Sequence, residues 1–551
     1  MSAEADVIVV GSGASATSAA IPLARAGLSV LMLDVGNVDA RYAPLIPAAP
    51  FREIRAGDAA QHRYFLGDDF EGVPFGDVRV GAQLTPPRRF IHRDTQVLTP
   101  LTSSTFAGME SLALGGLASG WGAVAVQFDD ADLASCPIKR RDLAPHYEAV
   151  AARIGISGAR DDLLPYYGDC STLQPPLDLD LGSELLLRRY SSRRERLNRR
   201  GLFLGRARLA ALSRDLGGRS GQQYHDMDFY SDQGRSVFRP AFAVEELRSF
   251  DGFRLATPYL VERFREAPGG EGVDVEALDI ESGRIERFTA RRLVLAAGVL
   301  GTARIVLRSF GRYDVPVPFI SNPYLYIPCI NTAMLGKVDR NRRHSLSHLG
   351  VVFEPAANGE GRIHAEAHSY RSLLLFKIAK ESFLPVREGL RILRDLESSF
   401  TIFGTYHADS ISPRKRCVLR RGAAGEGDVL EVHYEADREE TRRQRRIERA
   451  LLRLLPALGC WPLGRIRPGD GSSIHYGGTV RMTEHEEDLT VTPSCLLRGT
   501  RSVYVADGSV LPFLPAKAHT LTLMANADRV GTRIAEDLDG PVRGGRNAAA
   551  R

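Results

Sequence analysis

Two histidines late in the chain have the surroundings that a catalytic side chain needs. His475 lies in SSIHYGGTVRM, and His519 lies in PAKAHTLTLMANADRV, just before a stretch with a helical pattern. Both stand at element boundaries marked by glycine or proline, where positioned side chains usually face a site. A histidine with an ordinary pKa of about 6.5 is largely neutral at pH 7 and can accept a proton. The pair predicts acid–base chemistry, whereas a lone histidine is more simply explained as a packed or surface residue.

A second candidate site lies at the start of the chain. Residues 6–10, DVIVV, predict a buried strand, which is followed by GSGASA, a helical stretch and a second strand ending at Asp34. Gly11 permits a tight turn, Gly13 lets the backbone approach a pyrophosphate, and the helix that follows offers free N–H groups. Asp34, 23 residues after Gly11, can accept hydrogen bonds from an adenosine ribose. The order predicts a dinucleotide site without distinguishing FAD from NAD.

Three later segments also place glycine where a flat or anionic ligand could approach. Residues 108–128, GMESLALGGLASGWGAVAVQF, are rich in small residues around Trp121. The run LVLAAGVLGTARIVLRS predicts another buried strand, a glycine turn at Gly298 and a helix. The run RSVYVADGSVLP predicts a strand that ends at Asp507 and Gly508.

The rest of the chain predicts the elements that position these residues. Alternating apolar runs between 310 and 480, such as SHLGVVFEP and DVLEVHYEA, predict an antiparallel sheet in a separate layer. Helices are expected within 129–158 around DLAPHYEAVAARIG, within 182–213 at the arginine-rich SSRRERLNRRG, and from Asp437, where Glu440 completes a capping box.

Composition excludes several functional classes. The 551 residues are 44% hydrophobic and 25% charged, which excludes wholesale disorder. A net charge of only +5, with mixed signs in both arginine-rich stretches, predicts no nucleic-acid partner. No apolar run approaches the roughly 18 residues of a membrane span, and no secretory signal is recognisable. Six scattered cysteines without a CxxC pair predict buried thiols of a cytoplasmic protein and no metal site.

Six motifs in this order resemble the glucose–methanol–choline (GMC) family of FAD-dependent oxidoreductases. They are GSGASA with Asp34, ALGGLASGW, LVLAAGVLGTARIVLRS, HYGGTVRM, VYVADGSVLP and HTLTLMANADR. The segment GGLASGWG followed by CPIKRRDLAPHYEAVAARIGISG is similar to the branch of pyranose oxidases and related sugar- and cyclitol-oxidising enzymes. The resemblance implies an α/β fold in which a Rossmann-type FAD domain is assembled from discontinuous segments and is covered by a substrate domain with an antiparallel sheet.

The resemblance also implies a division of the chain into domains. The FAD-binding domain is expected to comprise residues 1–45, 100–165, 225–310 and 485–540. The substrate-binding domain and its loops are expected to comprise residues 46–99, 166–224 and 311–484. Residues 541–551 are expected to form a disordered tail.

By the same resemblance, His475 and His519 match the two catalytic positions. The implied cofactor-binding residues are Gly11, Gly13, Ala14, Ala16, Asp34, Gly115, Gly116, Ser119, Trp121, Ala297, Gly298, Asp507, Gly508, His519 and Thr520.

Two positions depart from the family pattern. Gly120 stands where some pyranose-oxidase-like members carry a histidine that binds FAD covalently, so non-covalent FAD is expected. Thr520 stands where many members have proline, which leaves the local loop geometry open.

The expected reaction is oxidation of an alcohol to a carbonyl, with hydride transfer to flavin N5 and a histidine as base. The substrate is expected to be a sugar, aminosugar or cyclitol. The electron acceptor (O₂, a quinone or a carrier protein), the oligomeric state and which histidine is the base stay open.

Three alternatives remain beside this reaction. One is a flavoenzyme of another type, a desaturase, isomerase or lyase acting on a natural-product intermediate. Another is an NAD(P)H-dependent reductase, which AAGVLGTARI at 295–304 disfavours because it lacks the first close glycine pair. The last is a non-enzymatic flavin-binding protein, against which the paired histidines argue.

Overall fold

A mixed sheet forms around the first strand, Ala5–Val10, whose residues are almost all buried. The computed structural model describes residues 4–73, 84–337, 343–356, 361–369, 385–422 and 427–539. Ala5–Val10 pairs in parallel with Val30–Leu33 on one side and with Arg284–Leu295 on the other. The seven strands run in the order Phe253–Ala256, Val30–Leu33, Ala5–Val10, Arg284–Leu295, Val273–Asp279 and Tyr259–Glu266, and Val503–Val505 also pairs with Arg284–Leu295. Strands that are far apart in the sequence therefore lie side by side in one sheet.

Helices pack around this seven-stranded sheet. They are Ala14–Arg25, Arg140–Ile154, Pro240–Leu247, Val299–Ser309 and Thr520–Asp539. The helices Thr520–Asp539 and Ala14–Arg25 lie against each other at Gly531, where a Cβ atom would collide with the backbone carbonyl oxygen of Ala19. The absence of a side chain at Gly531 thus lets the two helices approach closely.

A six-stranded antiparallel sheet forms the second layer. Its strands, in spatial order, are Cys460–Pro462, Tyr324–Asn331, Phe400–His407, Ile363–Ser369, Leu349–Phe353 and Leu202–Arg206. Alternate residues of these strands, such as Leu325, Ile327 and Phe403, pack into a separate apolar core with Leu186 and Ile447 from the helices Leu181–Ser191 and Arg438–Leu452. The opposite face of this sheet borders a cavity.

Short ladders connect the two layers. A four-stranded sheet contains Leu101–Thr102, Val429–Tyr434, Lys415–Arg420 and Pro316–Pro318. Two further ladders pair Ile320–Ser321 with Tyr476–Gly477 and Asp409–Ser410 with Phe513–Leu514. The other α-helices are Phe51–Gly57, His62–Leu66, Thr95–Leu98, Leu164–Tyr167, Arg194–Asn198 and Val386–Leu396. Short 3₁₀ helices are Ala43–Leu45, Pro86–His92, Gly116–Gly120, Pro268–Gly270, Thr332–Met334, Glu397–Ser399, Leu455–Leu458 and Gly508–Val510.

The α/β architecture with a separate antiparallel sheet agrees with the sequence prediction. The helices predicted within 129–158 and 182–213 are present, as Arg140–Ile154 and as Leu181–Ser191 with Arg194–Asn198, and Leu202–Arg206 then enters the six-stranded sheet. One local prediction needs correction. Asp437 does cap the helix Arg438–Leu452 by accepting from the Glu440 backbone N–H, but the Glu440 carboxylate binds Lys415 instead of closing the capping box.

Other expectations have mixed outcomes. The six cysteines are all free and buried. None of the helices in the described ranges combines the length and apolar character needed to cross a bilayer. The same ranges contain no cluster of three or more His, Cys, Asp or Glu side chains placed to hold a metal ion. The domain boundaries stay a prediction, and the tail 541–551 lies outside the described residues.

Candidate active site

A cavity of about 1140 Å³ lies between the two large sheets. One wall is formed by the carboxyl ends of strands in the seven-stranded sheet, and the opposite wall by the open face of the six-stranded sheet. Small-ligand sites usually occupy roughly 300–1,000 Å³. The volume is therefore large enough for a cofactor together with a substrate.

The first wall contains the glycine turn predicted from the sequence. Gly11 has φ +96°, and a Cβ atom there would lie 2.6 Å from the carbonyl oxygen of Ala296. Gly13 begins the helix Ala14–Arg25 without any side-chain cap. Ser12 fixes the neighbouring loop, since its Oγ accepts a hydrogen bond of 2.9 Å from the Gly115 N–H. The turn consequently presents free backbone donors to the cavity.

Three helix N-termini open onto this cavity. Val299–Ser309 follows Gly298, which has φ +79°, no side-chain cap and no atom within 4 Å of the position a Cβ would take. Thr520–Asp539 follows His519 directly, and Thr520 itself lines the cavity. Together with the helix that begins at Ala14, they supply N–H groups and partial positive charge, which suit a pyrophosphate.

Two carboxylates stand at this end of the cavity. Burial raises the pKa of Asp34 to about 7, although the Gly36 N–H donates to its Oδ1 at 2.6 Å. Hydroxyl donors from a ribose would therefore stabilise its charged form. Burial also raises the pKa of Asp507, whose carboxylate accepts from Thr302 Oγ1 at 2.6 Å and from the Ser509 N–H at 2.9 Å.

The two candidate catalytic histidines lie side by side in the same cavity. The ring centroids of His475 and His519 are 4.5 Å apart, with an angle of 43° between the planes. Tyr406, from the six-stranded sheet, stacks on His475 at 5.0 Å with an angle of 12°. The structure thus brings together residues that are 44 positions apart in the sequence (519 − 475).

A hydrogen-bond network assigns the tautomer of His475. The Nδ2 amide group of Asn322 donates to the carbonyl oxygens of His407 at 2.8 Å and Pro515 at 2.9 Å. Its Oδ1 therefore faces His475 Nδ1, at 3.2 Å, and accepts a hydrogen bond from it. With the ring neutral, Nδ1 carries the hydrogen and Nε2 keeps its lone pair.

Burial makes both histidines neutral at pH 7. Burial is the main cause that holds the pKa of His475 well below its ordinary value, and the neighbouring rings of His519 and His364 lower it further. Burial also lowers the pKa of His519 to about 4, partly opposed by the backbone carbonyl of Tyr476. Each ring is therefore available as a proton acceptor.

The second wall is aromatic and carries one carboxylate. Tyr324, Tyr326 and Tyr406 line the cavity from neighbouring strands, and the rings of Tyr324 and Tyr406 are 4.7 Å apart. Glu366 lines the same wall, and its residue exposure is only 7%. Apolar rings with a few fixed polar groups are typical of a binding site for a small polar molecule.

Most residues predicted for the site do line the cavity. They are Gly11, Gly13, Ala14, Asp34, Gly116, Trp121, Ala297, Gly298, His475, Asp507, Gly508, His519 and Thr520. Ala16, Gly115 and Ser119 are not among its lining residues. Ala16 is fully buried in the first helix, and Ser119 Oγ donates to the Leu114 carbonyl.

Sequence reasoning missed Asn322, Tyr406 and Glu366. They lie in or beside strands between 310 and 480, and no local motif marks them. Only Asn322, followed by Pro323, carries even the general signature of a turn.

Comparisons with known proteins agree with this geometry. Residues 425–527 match the C-terminal GMC oxidoreductase family. Paromamine 6'-oxidase of Streptomyces fradiae is 25% identical over 555 residues, which cover 97% of this chain and 92% of that protein.

Solved structures share the fold at low identity. Formate oxidase of Aspergillus oryzae superposes with a TM-score of 0.60 at 13% identity, covering 98% of this chain and 99% of that one. Pyridoxine 4-oxidase of Mesorbium loti gives 0.55 at 14% identity, covering 96% and 98%.

Fold and site together define an FAD-dependent oxidoreductase that acts on CH–OH groups. Residues 425–527 carry the match to the GMC oxidoreductases that the motif order predicts, and the similarity to paromamine 6'-oxidase extends over 97% of this chain.

Proposed function

We propose that this enzyme oxidises a hydroxyl group of a sugar, aminosugar or cyclitol to a carbonyl. The observation that carries the proposal is the pair His475 and His519, 4.5 Å apart, between the glycine turns and the tyrosine-lined wall. The relative named paromamine 6'-oxidase, an aminosugar oxidase by its name, supports the substrate class.

The residues of the first wall fit the cofactor that GMC oxidoreductases bind. Asp34 is placed to accept hydroxyl hydrogens of the adenosine ribose, and the helix N-terminus after Gly13 to hold phosphate. Gly298 and Gly508 line the cavity, and without side chains they expose their backbone to it. When bound, FAD supplies the acceptor for the hydride that leaves the alcohol carbon.

The surroundings of Gly120 support non-covalent binding of FAD. A Cβ atom at this position would lie 2.6 Å from Ile91 Cδ1 and 3.0 Å from Leu84 Cδ2, so the backbone here faces apolar side chains. We therefore expect acid precipitation of the purified protein to leave the yellow colour in the supernatant. Colour retained in the pellet would show a covalent link elsewhere.

His475 is proposed as the base. Its Nε2 lone pair takes the proton of the substrate hydroxyl, while Asn322 holds the hydrogen-bearing Nδ1 in place. The proton thus moves to the ring as the C–H bond breaks, and general-base help of this kind is worth roughly 10²- to 10⁴-fold in rate.

His519 is proposed to orient the same oxygen. Its ring is beside that of His475, and its Nδ1 has no hydrogen-bond partner although it is buried. A substrate hydroxyl would satisfy that atom. Tyr406, which stacks on the ring of His475, limits the positions that this ring can adopt.

The test is His475→Ala in the FAD-loaded enzyme, measured as anaerobic bleaching of the flavin by paromamine. We expect the rate to fall by roughly 10²- to 10⁴-fold with FAD content unchanged. His433→Ala, on a strand away from the cavity and paired with Glu431, is the matched control and should bleach at the parent rate. An unchanged rate in His475→Ala would refute the assignment of the base.

Product analysis separates this reaction from its alternatives. An alcohol oxidation gives a carbonyl product in amounts equal to the flavin reduced. Reoxidising the bleached enzyme with O₂ or with benzoquinone then identifies the class of electron acceptor.

A further inference from the structure

We propose that Glu366 binds an ammonium group of the substrate and so selects an amino-bearing sugar over a neutral one. The inference rests on the proposed alcohol oxidation, because it concerns the same cavity. It makes Glu366 a specificity-determining residue.

Glu366 is a buried carboxylate without a cationic partner. Its side chain is 9% exposed, and Oε1 forms no hydrogen bond. Among the described residues, Nε2 of His368, on the same strand, is the titratable nitrogen that lies within 4 Å of it, 3.6 Å from Oε2. Within the described ranges, no lysine or arginine forms an ion pair with it.

Three other buried carboxylates of this protein have cationic partners. Glu448, with 0% side-chain exposure, is paired with Arg465 and Arg467. Asp409 is paired with Lys415, and Asp132 with Lys517. Glu366 differs from these three carboxylates because no lysine or arginine in the described ranges pairs with it.

An uncompensated buried charge is costly, because it loses hydration without gaining an equivalent partner. Glu366 lines the cavity, from which a ligand can approach it. A cationic ligand would recover the lost interaction, whereas a neutral ligand offers only weaker hydrogen bonds.

The surroundings of Glu366 also favour a cation. In the sheet register Glu366 lies opposite Gly350 on one side and opposite Gly404 on the other. The hydroxyl ends of Tyr167 and Tyr324 occupy the space above these two glycines. Tyrosine rings and hydroxyls around a carboxylate form a setting that attracts an alkylammonium group, since aromatic faces are negative.

The position along the strand relates this carboxylate to the reacting centre. Tyr406, which stacks on His475, lies opposite His364, and Glu366 is two residues further along the same strand. Two residues of strand correspond to about 7 Å. An ammonium group held by Glu366 would thus be several bonds from the hydroxyl that His475 deprotonates.

The experiment compares paromamine with its fully N-acetylated derivative, which keeps the hydroxyl groups and loses the ammonium charges. Binding to the oxidised holoenzyme is measured by calorimetry, and flavin bleaching by anaerobic stopped flow. We expect the parent enzyme to prefer paromamine by about 30-fold or more, as for other buried charge pairs. Glu366→Gln should abolish most of this preference, and Glu366→Asp should retain part of it.

Two variants separate binding from structure. Glu431→Gln, which alters an exposed ion pair with Arg420, should keep the full preference. Glu366→Gln without substrate should be at least as thermally stable as the parent holoenzyme, because it removes an unpaired charge. A large loss of stability would show a structural role and overturn the proposal.

The remaining outcomes are also decisive. Equal binding of the two ligands by the parent enzyme overturns the ammonium subsite, and so does a preference that survives in Glu366→Gln. If both ligands lose affinity equally in Glu366→Gln, the residue binds hydroxyl groups instead. Preferential binding of paromamine without any bleaching would support the subsite and refute the proposed oxidation.

Discussion

The two walls of the cavity are built on different physical principles. The wall formed by Gly11, Gly13 and Gly298 uses bare backbone and helix N-termini. The wall formed by Tyr406 and Glu366 uses side chains from a sheet whose strands pair at long range. The first can hold the same cofactor in many enzymes, whereas the second can change its ligand by single substitutions.

The contrast predicts unequal tolerance to mutation. On the backbone wall, an atom added at Gly11 would collide with the main chain, so even alanine is disruptive there. On the side-chain wall, substitutions should change rates and preferences while leaving the fold intact. The following experiments test that difference, beginning with the largest effect.

Gly11→Ala should abolish FAD binding. The residue has φ +96°, and the new Cβ would lie 2.6 Å from the Ala296 carbonyl oxygen, between two strands that must stay paired. The control is Gly27→Ala, which has φ +77° but open space around the new atom. Its cost should be only the roughly 1–2 kcal/mol of a left-handed alanine, with full FAD content. Absorbance at the flavin band measures both, and an FAD-replete Gly11→Ala enzyme would refute the contrast.

Asn322→Ala should reduce the rate of flavin bleaching by about tenfold to a hundredfold, because His475 Nδ1 would lose its acceptor in a buried site. Asn322 acts through His475, so substrate affinity and FAD content should stay unchanged while the pH profile of the rate shifts. Asn331→Ala removes another buried amide of the six-stranded sheet and serves as control. A loss confined to substrate affinity would contradict the positioning role.

Local patterns predict the backbone wall because its parts are contiguous. Strand, glycine turn and helix follow within a few residues, so Gly11, Gly13 and Gly298 can be found without knowing the fold. Asn322 reaches His475, and Glu366 faces the cavity, only because Ile320–Ser321 pairs with Tyr476–Gly477 and Ile363–Ser369 pairs with Phe400–His407. That register is set by long-range pairing, which local spacing does not reveal.

The same reason explains why the strand after the arginine-rich helices could not be predicted. Residues 202–206 pair with Leu349–Phe353 in the six-stranded sheet, and the arginine-rich spacing before them does not reveal this long-range pairing. Gly201, with φ +77°, makes the turn between the two structures.

His519→Asn should make the holoenzyme less sensitive to acid. The folded pKa of His519 is about 4, below its ordinary value of 6.5, so the unfolded chain binds a proton that the folded protein excludes. Its contribution to stability is complete above pH 6.5 and falls as the pH decreases toward 4. As the pH falls from 6.5 toward 4, the free energy of unfolding should decrease less steeply in the variant than in the parent, by up to about 1.4 kcal/mol per pH unit. Denaturant titrations at pH 7, 6 and 5 measure it, and identical slopes would contradict the prediction.

The smallest effect is expected on the outer face of Arg438–Leu452. Arg442 and Arg446 are exposed, and neither lines the cavity. Replacing both by alanine should change the free energy of unfolding by about 0.5 kcal/mol or less and leave bleaching unchanged. A pronounced loss of stability or of flavin bleaching would indicate that this charged helix has a function that the structure does not predict.

The position of His519 has a consequence for biosynthesis. The histidine follows the strand Val503–Val505, which joins the seven-stranded sheet, and it precedes the helix that packs on Ala14–Arg25. During translation the glycine turn at Gly11 leaves the ribosome some 500 residues before Asp507 and His519, which line the same cavity. A nascent chain arrested before residue 519 therefore lacks one of the paired histidines, and we expect the enzyme to acquire activity in one late step rather than gradually.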